Sequence, residues 1–337
     1  MELEPNEEQV LLRDMVRRFL ADRGDAASIG AGPMPPAAWR ALGELGLFAF
    51  LLPERGGGMG GRAQDVMIVG EELGRALAIT PLAESILGAA DLIARHGDES
   101  LIERWVAPAL AGDVVLALAV GDIHKQDGRL TGRCDFVRWA VDADALVVLA
   151  GDAFHIVATD APGLTIAPVR LADGSVAGMV VFDGCTAESM ILPAGAGAAS
   201  LATAQLCYVA EMVGAMALLY EQTVDYARQR RQFGAPIGSF QVVQHKLARM
   251  FVALEQARSL LLKAGLADRD EPEFERGVIA AKAYVAEAAQ RLAEEAVQLH
   301  GGMGVTDELA IGRGLRRVML LARLFGGAGE ARARLAA

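Results

Sequence analysis

Residues 226–250 read YARQRRQFGAPIGSFQVVQHKLARM, and the reading of this stretch decides the fold. It has the pattern of one helix ending, a turn at 234–238, and a second helix beginning. Gly234, Pro236 and Gly238 punctuate the turn, since glycine reaches backbone angles closed to other residues and proline cannot continue a helix. Ser239 is the expected N-cap of the second helix. Arg228, Arg230 and Arg231 put three cations at the C-terminal end of the first helix. The helix dipole is negative there, and a docked phosphate would find forked donors. On chemistry alone, a helical hairpin with solvated arginines explains the stretch equally well.

The order of the residues separates these readings. Positions 230–250 follow R-x-x-F-G-x-P-I-x-x-F-Q-x-x-Q-x-x-L-A-x-M, and a second block, QLHGGMG, occupies 298–304. Both resemble signatures of the acyl-CoA dehydrogenase family, in the family's order and at its spacing. With the N-terminal helices described below, the resemblance extends over nearly the whole chain.

The composition fits a large globular protein. Of 337 residues, 53% are hydrophobic and 22% charged, a surplus of apolar surface that suits an oligomer interface. The net charge of −11 and the lack of a basic tract argue against a nucleic-acid partner. Cys134, Cys185 and Cys207 have no metal-ligand spacing. With no signal peptide at the N-terminus, a cytoplasmic protein with reduced thiols is the expectation. Residues 201–220 carry one charge, Glu211, and are long enough to span a bilayer. A central helix buried on all sides has the same sequence pattern, and the resemblance favours it over a membrane span.

In chain order, Asn6-Glu-Glu-Gln9 reads as a capping box before an amphipathic helix. After a Gly/Pro-rich break from Gly30 to Pro36, a second helix centres on Trp39, Leu42 and Leu45. The glycine-dense LLPERGGGMGG at 51–61 lacks the GK[ST] ending of a phosphate cradle and reads as a loop. Helical spacing returns at 66–77, 82–96 and 99–109. Short β-branched runs at 114–120, 145–150, 154–158, 164–168 and 179–182 predict strands. Four long helices are predicted over 198–230, 239–267, 272–300 and 307–324. The reading is an α+β protein of acyl-CoA dehydrogenase type. It has an N-terminal helical domain (1–112), a small β domain (113–190) and a C-terminal four-helix bundle (191–337).

The resemblance implies FAD as hydride acceptor from Cβ of an acyl-CoA thioester and a glutamate as base for the α-proton. Counting from Gly301, the family's usual glutamate position falls on Phe325; an alternative position, counted back from Phe233, falls on Ala204. Neither side chain takes a proton. Gln205 stands where the family usually has arginine, and Glu211 is a weak base candidate, read more readily as a polar contact between helices. The family's flavin-facing loop after the first strand is shortened to Val120-Gly-Asp-Ile-His-Lys125. A second flavin-facing element aligns with Cys134-Asp-Phe-Val-Arg-Trp139, keeping an aromatic at Phe136 and placing Arg138 at the hydroxyl position.

The half of the family's site that reaches a neighbouring subunit's FAD is retained: Arg230, Phe233, Gln298, Gly301 and Gly302. Arginine forks suit pyrophosphate, and glycines let backbone N–H groups approach an anion. His300 is read as a core histidine in preference to a further contact. The pattern resembles the smaller, glutamate-lacking subunit of α2β2 acyl-CoA dehydrogenases, including those acting on steroid side-chain thioesters. Such a chain completes the FAD site of a homologous larger subunit, with an electron-transfer flavoprotein as the family's common acceptor. Two alternatives remain open: a self-sufficient homo-oligomer with an atypical base, and a flavin-free assembly protein. Trp39 and Trp105 are read as packing anchors, and Met212, Met303 and Met319 as core filler.

Overall fold

The computed structural model describes residues 5–22, 32–193, 195–306 and 308–336; Gly30, where the Gly/Pro-rich break begins, and Asp307, which opens the last predicted helix, lie outside them. The described residues begin with α1 (Glu7–Asp22), α2 (Pro36–Glu44), α3 (Leu47–Leu51) and α4 (Ala63–Arg75). A π-helical stretch, Leu82–Ala90, runs into α5 (Asp91–His96), and α6 (Glu99–Leu101) runs through a second one, Ile102–Val106, into α7 (Ala107–Leu110). The strands follow: β1 (Leu116–Val120), β2 (Asp122–Gln126), β3 (Arg129–Arg138), β4 (Ala145–Ala150), β5 (Ala153–Ala158), β6 (Leu164–Arg170), β7 (Val176–Thr186) and β8 (Glu188–Ile191). The chain then forms α8 (Ala196–Gln229), the short strands β9 (Arg231–Gln232) and β10 (Ala235–Pro236), α9 (Gln241–Gly265), α10 (Pro272–His300), α11 (Ala310–Leu321) and α12 (Ala328–Ala336). Two compact units result: Met1–Pro33, Ala63–Ile79 and Gln205–Ala337 form the first, and Met34–Arg62 with Thr80–Ala204 the second.

The first unit is helical. Its N-terminal capping box is realised: the Gln9 amide donates to Asn6 Oδ1 at 2.9 Å, and the Asn6 amide donates to Gln9 Oε1 at 3.2 Å. α4 and α8 cross with their backbones in contact. A Cβ on Gly74 would lie 2.0 Å from the Glu211 carbonyl oxygen, and one on Gly214 would lie 2.0 Å from that of Glu71. Only glycine on both helices permits this approach. α8 is long and apolar enough to cross a membrane, yet 89% of its most apolar window is buried within the protein. It is the core helix that the resemblance favours.

Two local expectations are overturned here, and one helix had gone unread. Phe240 holds the N-cap position of α9 without a side-chain bond, while the Ser239 hydroxyl donates to the Pro236 carbonyl at 2.7 Å. The 3-10 turn at Ile237–Ser239 uses that hydroxyl one residue too early for capping. Met212 is buried, but Met303 and Met319 are 50% and 45% exposed. Finally, the terminal helix α12 was not expected from its short polar sequence. Ala331 packs on Ile279 and Ala283 of α10, and Arg334 pairs with Glu275 at 2.7 Å.

The second unit carries two four-stranded sheets, ordered β1-β4-β5-β8 and β2-β3-β7-β6. β1 and β4 are parallel, and the remaining pairs of both sheets are antiparallel. The predicted apolar runs correspond to β1, β4, β5, β6 and β7. Strands β2, β3 and β8 went unread because their residues are largely exposed and polar, so hydrophobic runs do not mark them. Trp39 is buried against Phe48 at 4.2 Å between ring centres, and Trp105 is buried as well. In the glycine-dense loop, a Cβ on Gly58 would stand 2.2 Å from the Leu52 carbonyl oxygen, and one on Gly61 would stand 2.3 Å from that of Phe50. These glycines serve close packing of the chain on itself.

Candidate functional site

The end of α8 turns through an antiparallel hairpin in which β9 pairs with β10. The Ile237 amide donates to the Arg230 carbonyl at 2.8 Å, and Arg231 Nη2 caps the Gly234 carbonyl at 3.0 Å. Phe233 stands at the tip with a left-handed φ of 51°, 93% exposed. A bulky residue in that region costs energy, and this ring recovers little by packing within its own chain. Its nearest aromatic neighbour is Phe240, edge-on at 6.2 Å. Arg228 is held by Asp225 at 3.4 Å. Arg230 is exposed, and among the described residues its guanidinium has no hydrogen-bond or ion-pair partner.

The second sequence block closes α10. Gly301 takes φ 64° as its C-cap, a conformation that requires glycine, and a 3-10 turn over Gly301–Val305 follows. Gly302 differs: its φ is not left-handed, and a Cβ there would meet nothing within 4 Å. Among the described residues, nothing demands glycine at 302. Gln298 is exposed on the last turn of α10. His300 is buried, its Nδ1 2.8 Å from the Ala296 carbonyl oxygen and its ring stacked on Tyr226 at 4.2 Å. That stack ties the end of α10 to the end of α8, and so brings the Arg230 hairpin and the glycine pair together. A groove of about 760 Å³ between α9 and α10 runs up to Gln298, with Lys246 and Glu295 paired across it at 2.8 Å.

The turn after α11 is built in detail without a proton acceptor at its centre. Phe325 and Gly326 have φ of 54° and 89°. The Phe325 ring leans on Tyr208 at 5.9 Å, and its carbonyl accepts from Gln205 Nε2 at 3.4 Å. Gln205 is the neighbour of Ala204, so these contacts tie the turn at Phe325 to the helix that carries the alternative glutamate position. Lys282, which the sequence reading missed, pins the same turn from α10. Its fully buried Nζ donates to the Leu321 carbonyl at 2.6 Å and the Leu324 carbonyl at 3.0 Å, and burial pushes its pKa from 10.5 down to about 7. The available signal was a lone lysine inside the apolar run IAAKAYVA. Glu330, in the first turn of α12, also escaped notice. Its Oε2 lies 2.5 Å from where a Cβ on Gly326 would stand.

Glu211 is not an isolated carboxylate. It is 1% exposed and bound at 2.5 Å by Arg317 of α11, itself 2% exposed. The partner lies 106 residues away in sequence, which is why the helix alone looked apolar around a single charge. Buried and paired in this way, Glu211 joins α8 to α11 as a polar contact between helices.

In the second unit, Gly121 alone joins β1 to β2. A Cβ there would lie 2.5 Å from Cys134 Sγ, so β3 closes directly over the short connection. Arg138 is buried in an ion pair with Glu84 of the π-helical stretch at 3.3 Å, and Trp139 beside it adopts φ 64°. Phe136 is 44% exposed. A buried cation where the family places a hydroxyl, over a one-residue connection, does not fit the usual contacts to an isoalloxazine ring.

Comparison with known proteins agrees with this architecture. Residues 6–113 match the model of the acyl-CoA dehydrogenase N-terminal domain, and 196–337 that of the acyl-CoA dehydrogenase C-terminal domain. The chain is 31% identical to acyl-CoA dehydrogenase FadE27 of Mycobacterium tuberculosis over 302 residues, covering 82% of this chain and 80% of that protein. Among solved structures, the ChsE4–ChsE5 complex of the same organism superimposes with a TM-score of 0.90 at 26% identity, over 100% of this chain and 98% of the matched one. A variant of the Tcur3481–Tcur3483 steroid acyl-CoA dehydrogenase gives 0.87 at 27% identity, over 98% and 97%. Fold, signature blocks and relatives agree: the chain belongs to the acyl-CoA dehydrogenase family, whose members are FAD-binding oxidoreductases.

Proposed function

We propose that this chain is the non-catalytic, FAD-site-completing subunit of a heteromeric α2β2 acyl-CoA dehydrogenase. One contrast carries the reading. The base positions are Phe325 and Ala204, while among the described residues Arg230 has no side-chain partner, Phe233 is exposed and a side chain at Gly302 would meet open space. Arg230 would fork onto the pyrophosphate of FAD held mainly by a homologous larger subunit. The backbone at Gly301 and Gly302 would approach its ADP half, with Phe233 and Gln298 flanking it. When bound, FAD supplies the hydride acceptor for oxidation of an acyl-CoA thioester to the 2,3-enoyl-CoA. Removal of the α-proton falls to the partner's carboxylate. The heteromeric and steroid-directed relatives support a bulky, ring-bearing acyl group as substrate and a related longer chain as partner. An electron-transfer flavoprotein is the acceptor we assign by family analogy.

A self-sufficient enzyme is the second reading, and Glu330 beside the Phe325–Gly326 turn is the observation that favours it. The two readings separate on flavin content, measured by visible absorbance with the chain purified alone and then with its larger homologue. The first expects little flavin alone and about one FAD per unlike pair, lost when Arg230→Ala is present. A full flavin per isolated chain, with turnover abolished by Glu330→Gln, would overturn it.

A further inference from the structure

One polar cluster of the second unit has no part in the site described above. Ser189, on the edge strand β8, faces His155, its direct partner in register on β5. Its Oγ lies 2.7 Å from His155 Nδ1. From the other sheet, Lys125 of β2 reaches the same oxygen at 2.9 Å. An ammonium only donates, so Lys125 donates to Oγ, and the Ser189 hydroxyl keeps its hydrogen for another acceptor. In the tautomer with Nδ1 unprotonated, that acceptor is His155 Nδ1. His155 is 2% exposed, and burial followed by the Lys125 charge holds its pKa below the ordinary 6.5. A hydrogen bond to the Ala150 backbone and the charge of Asp152, in the turn between β4 and β5, oppose that shift. The imidazole is therefore neutral at pH 7 and able to accept a proton. Ser189 itself is exposed, and the Glu188–Arg104 ion pair at 2.7 Å steadies its strand.

We infer that Ser189 is a nucleophilic hydroxyl, with His155 as its base, that accepts acyl groups from activated esters and thioesters. Oγ forms a bond to the acyl carbonyl carbon as its proton passes to His155 Nδ1. The carbon–sulfur bond then breaks, and the proton moves from His155 to the departing thiolate. The products are an acyl ester on Ser189 and a free thiol, with no change in oxidation state. The Lys125 ammonium favours the step by stabilising negative charge as it develops on Oγ. The dehydrogenase reading is not needed for this inference, and its failure would leave the inference standing.

The test is to incubate the full chain, alone and with its larger homologue, with p-nitrophenyl acetate and to map adducts by peptide mass spectrometry. An acetyl group on Ser189 is expected, absent from Ser189→Ala. The rate should fall at least tenfold in His155→Gln, which keeps a polar side chain without a base, and severalfold in Lys125→Met at an exposed site. With pH, the rate should rise through a midpoint below 6.5 and level off above it. Flavin content of the complex should be the same in Ser189→Ala and His155→Gln. Absence of a Ser189 adduct, or one formed equally fast in His155→Gln or in the urea-unfolded chain, would overturn the inference.

Discussion

Replacing Glu211 by methionine separates a structural from a chemical role for the most buried carboxylate of the helical unit. The side chains of Glu211 and Arg317 are 1% and 3% exposed, so water cannot rescue either charge once its partner is gone. Removing one member of such a pair costs about 3–5 kcal/mol, because the other loses the opposite charge that offsets its burial. At roughly 2 °C per kcal/mol for a chain of this size, Glu211→Met should lower the melting temperature by about 6–10 °C. Arg317→Met should do the same. The double variant replaces both charges by apolar groups of similar volume and should recover most of the loss, giving a coupling energy of about 3 kcal/mol or more in a double-mutant cycle. Thermal unfolding of the four proteins reads these values. FAD content and turnover are then measured on the complex with the larger homologue. A single variant as stable as the parent would refute the buried-pair account. A stable double variant whose complex had lost turnover would show that Glu211 takes part in the chemistry after all.

Two further expectations follow from the same unit. Burial holds the pKa of Lys282 at about 7 against 10.5 for an ordinary lysine, so the unfolded chain binds the extra proton between those values and the folded chain does not. Stability should therefore rise as pH increases from about 7 towards 10, by up to about 5 kcal/mol at 1.36 kcal/mol per pH unit. Urea unfolding of Lys282→Met should lack that slope, and an unchanged slope would exclude Lys282 as its source. Gly302→Val should leave the unfolding midpoint of the isolated chain within about 0.5 kcal/mol of the parent, since a side chain there meets open space. It should also lower FAD retention in the complex; equal retention would remove Gly302 from the shared surface.

Much of the architecture could be read along the chain because its causes are local. The Asn6–Gln9 capping box joins residues three apart, and the long helices α8, α9 and α10 announce themselves by apolar spacing. A turn at 234–238 and the end of a helix at 300 were legible from glycine, proline and the order of a few residues, whereas the β9–β10 hairpin with its tip at Phe233 was not. Position 325 lacks a carboxylate whatever the fold. By contrast, β2, β3 and β8 carry polar, exposed faces, and only pairing with neighbouring strands makes them strands. α12 is a helix because α10 offers Ile279 and Ala283 to Ala331, a contact across some fifty residues.

By itself, then, the sequence determined the resemblance to the family, the order of the long helices and of the apolar strands, and the absence of a carboxylate at positions 204 and 325. Tertiary structure alone decided what surrounds each charge. It joined Glu211 to Arg317, Lys282 to the carbonyls before Phe325, Arg138 to Glu84, and Ser189 to His155 and Lys125. The reason is physical. Helix and turn preferences act over a few residues along the chain, whereas the fate of a buried charge depends on partners that only folding brings within a few ångströms.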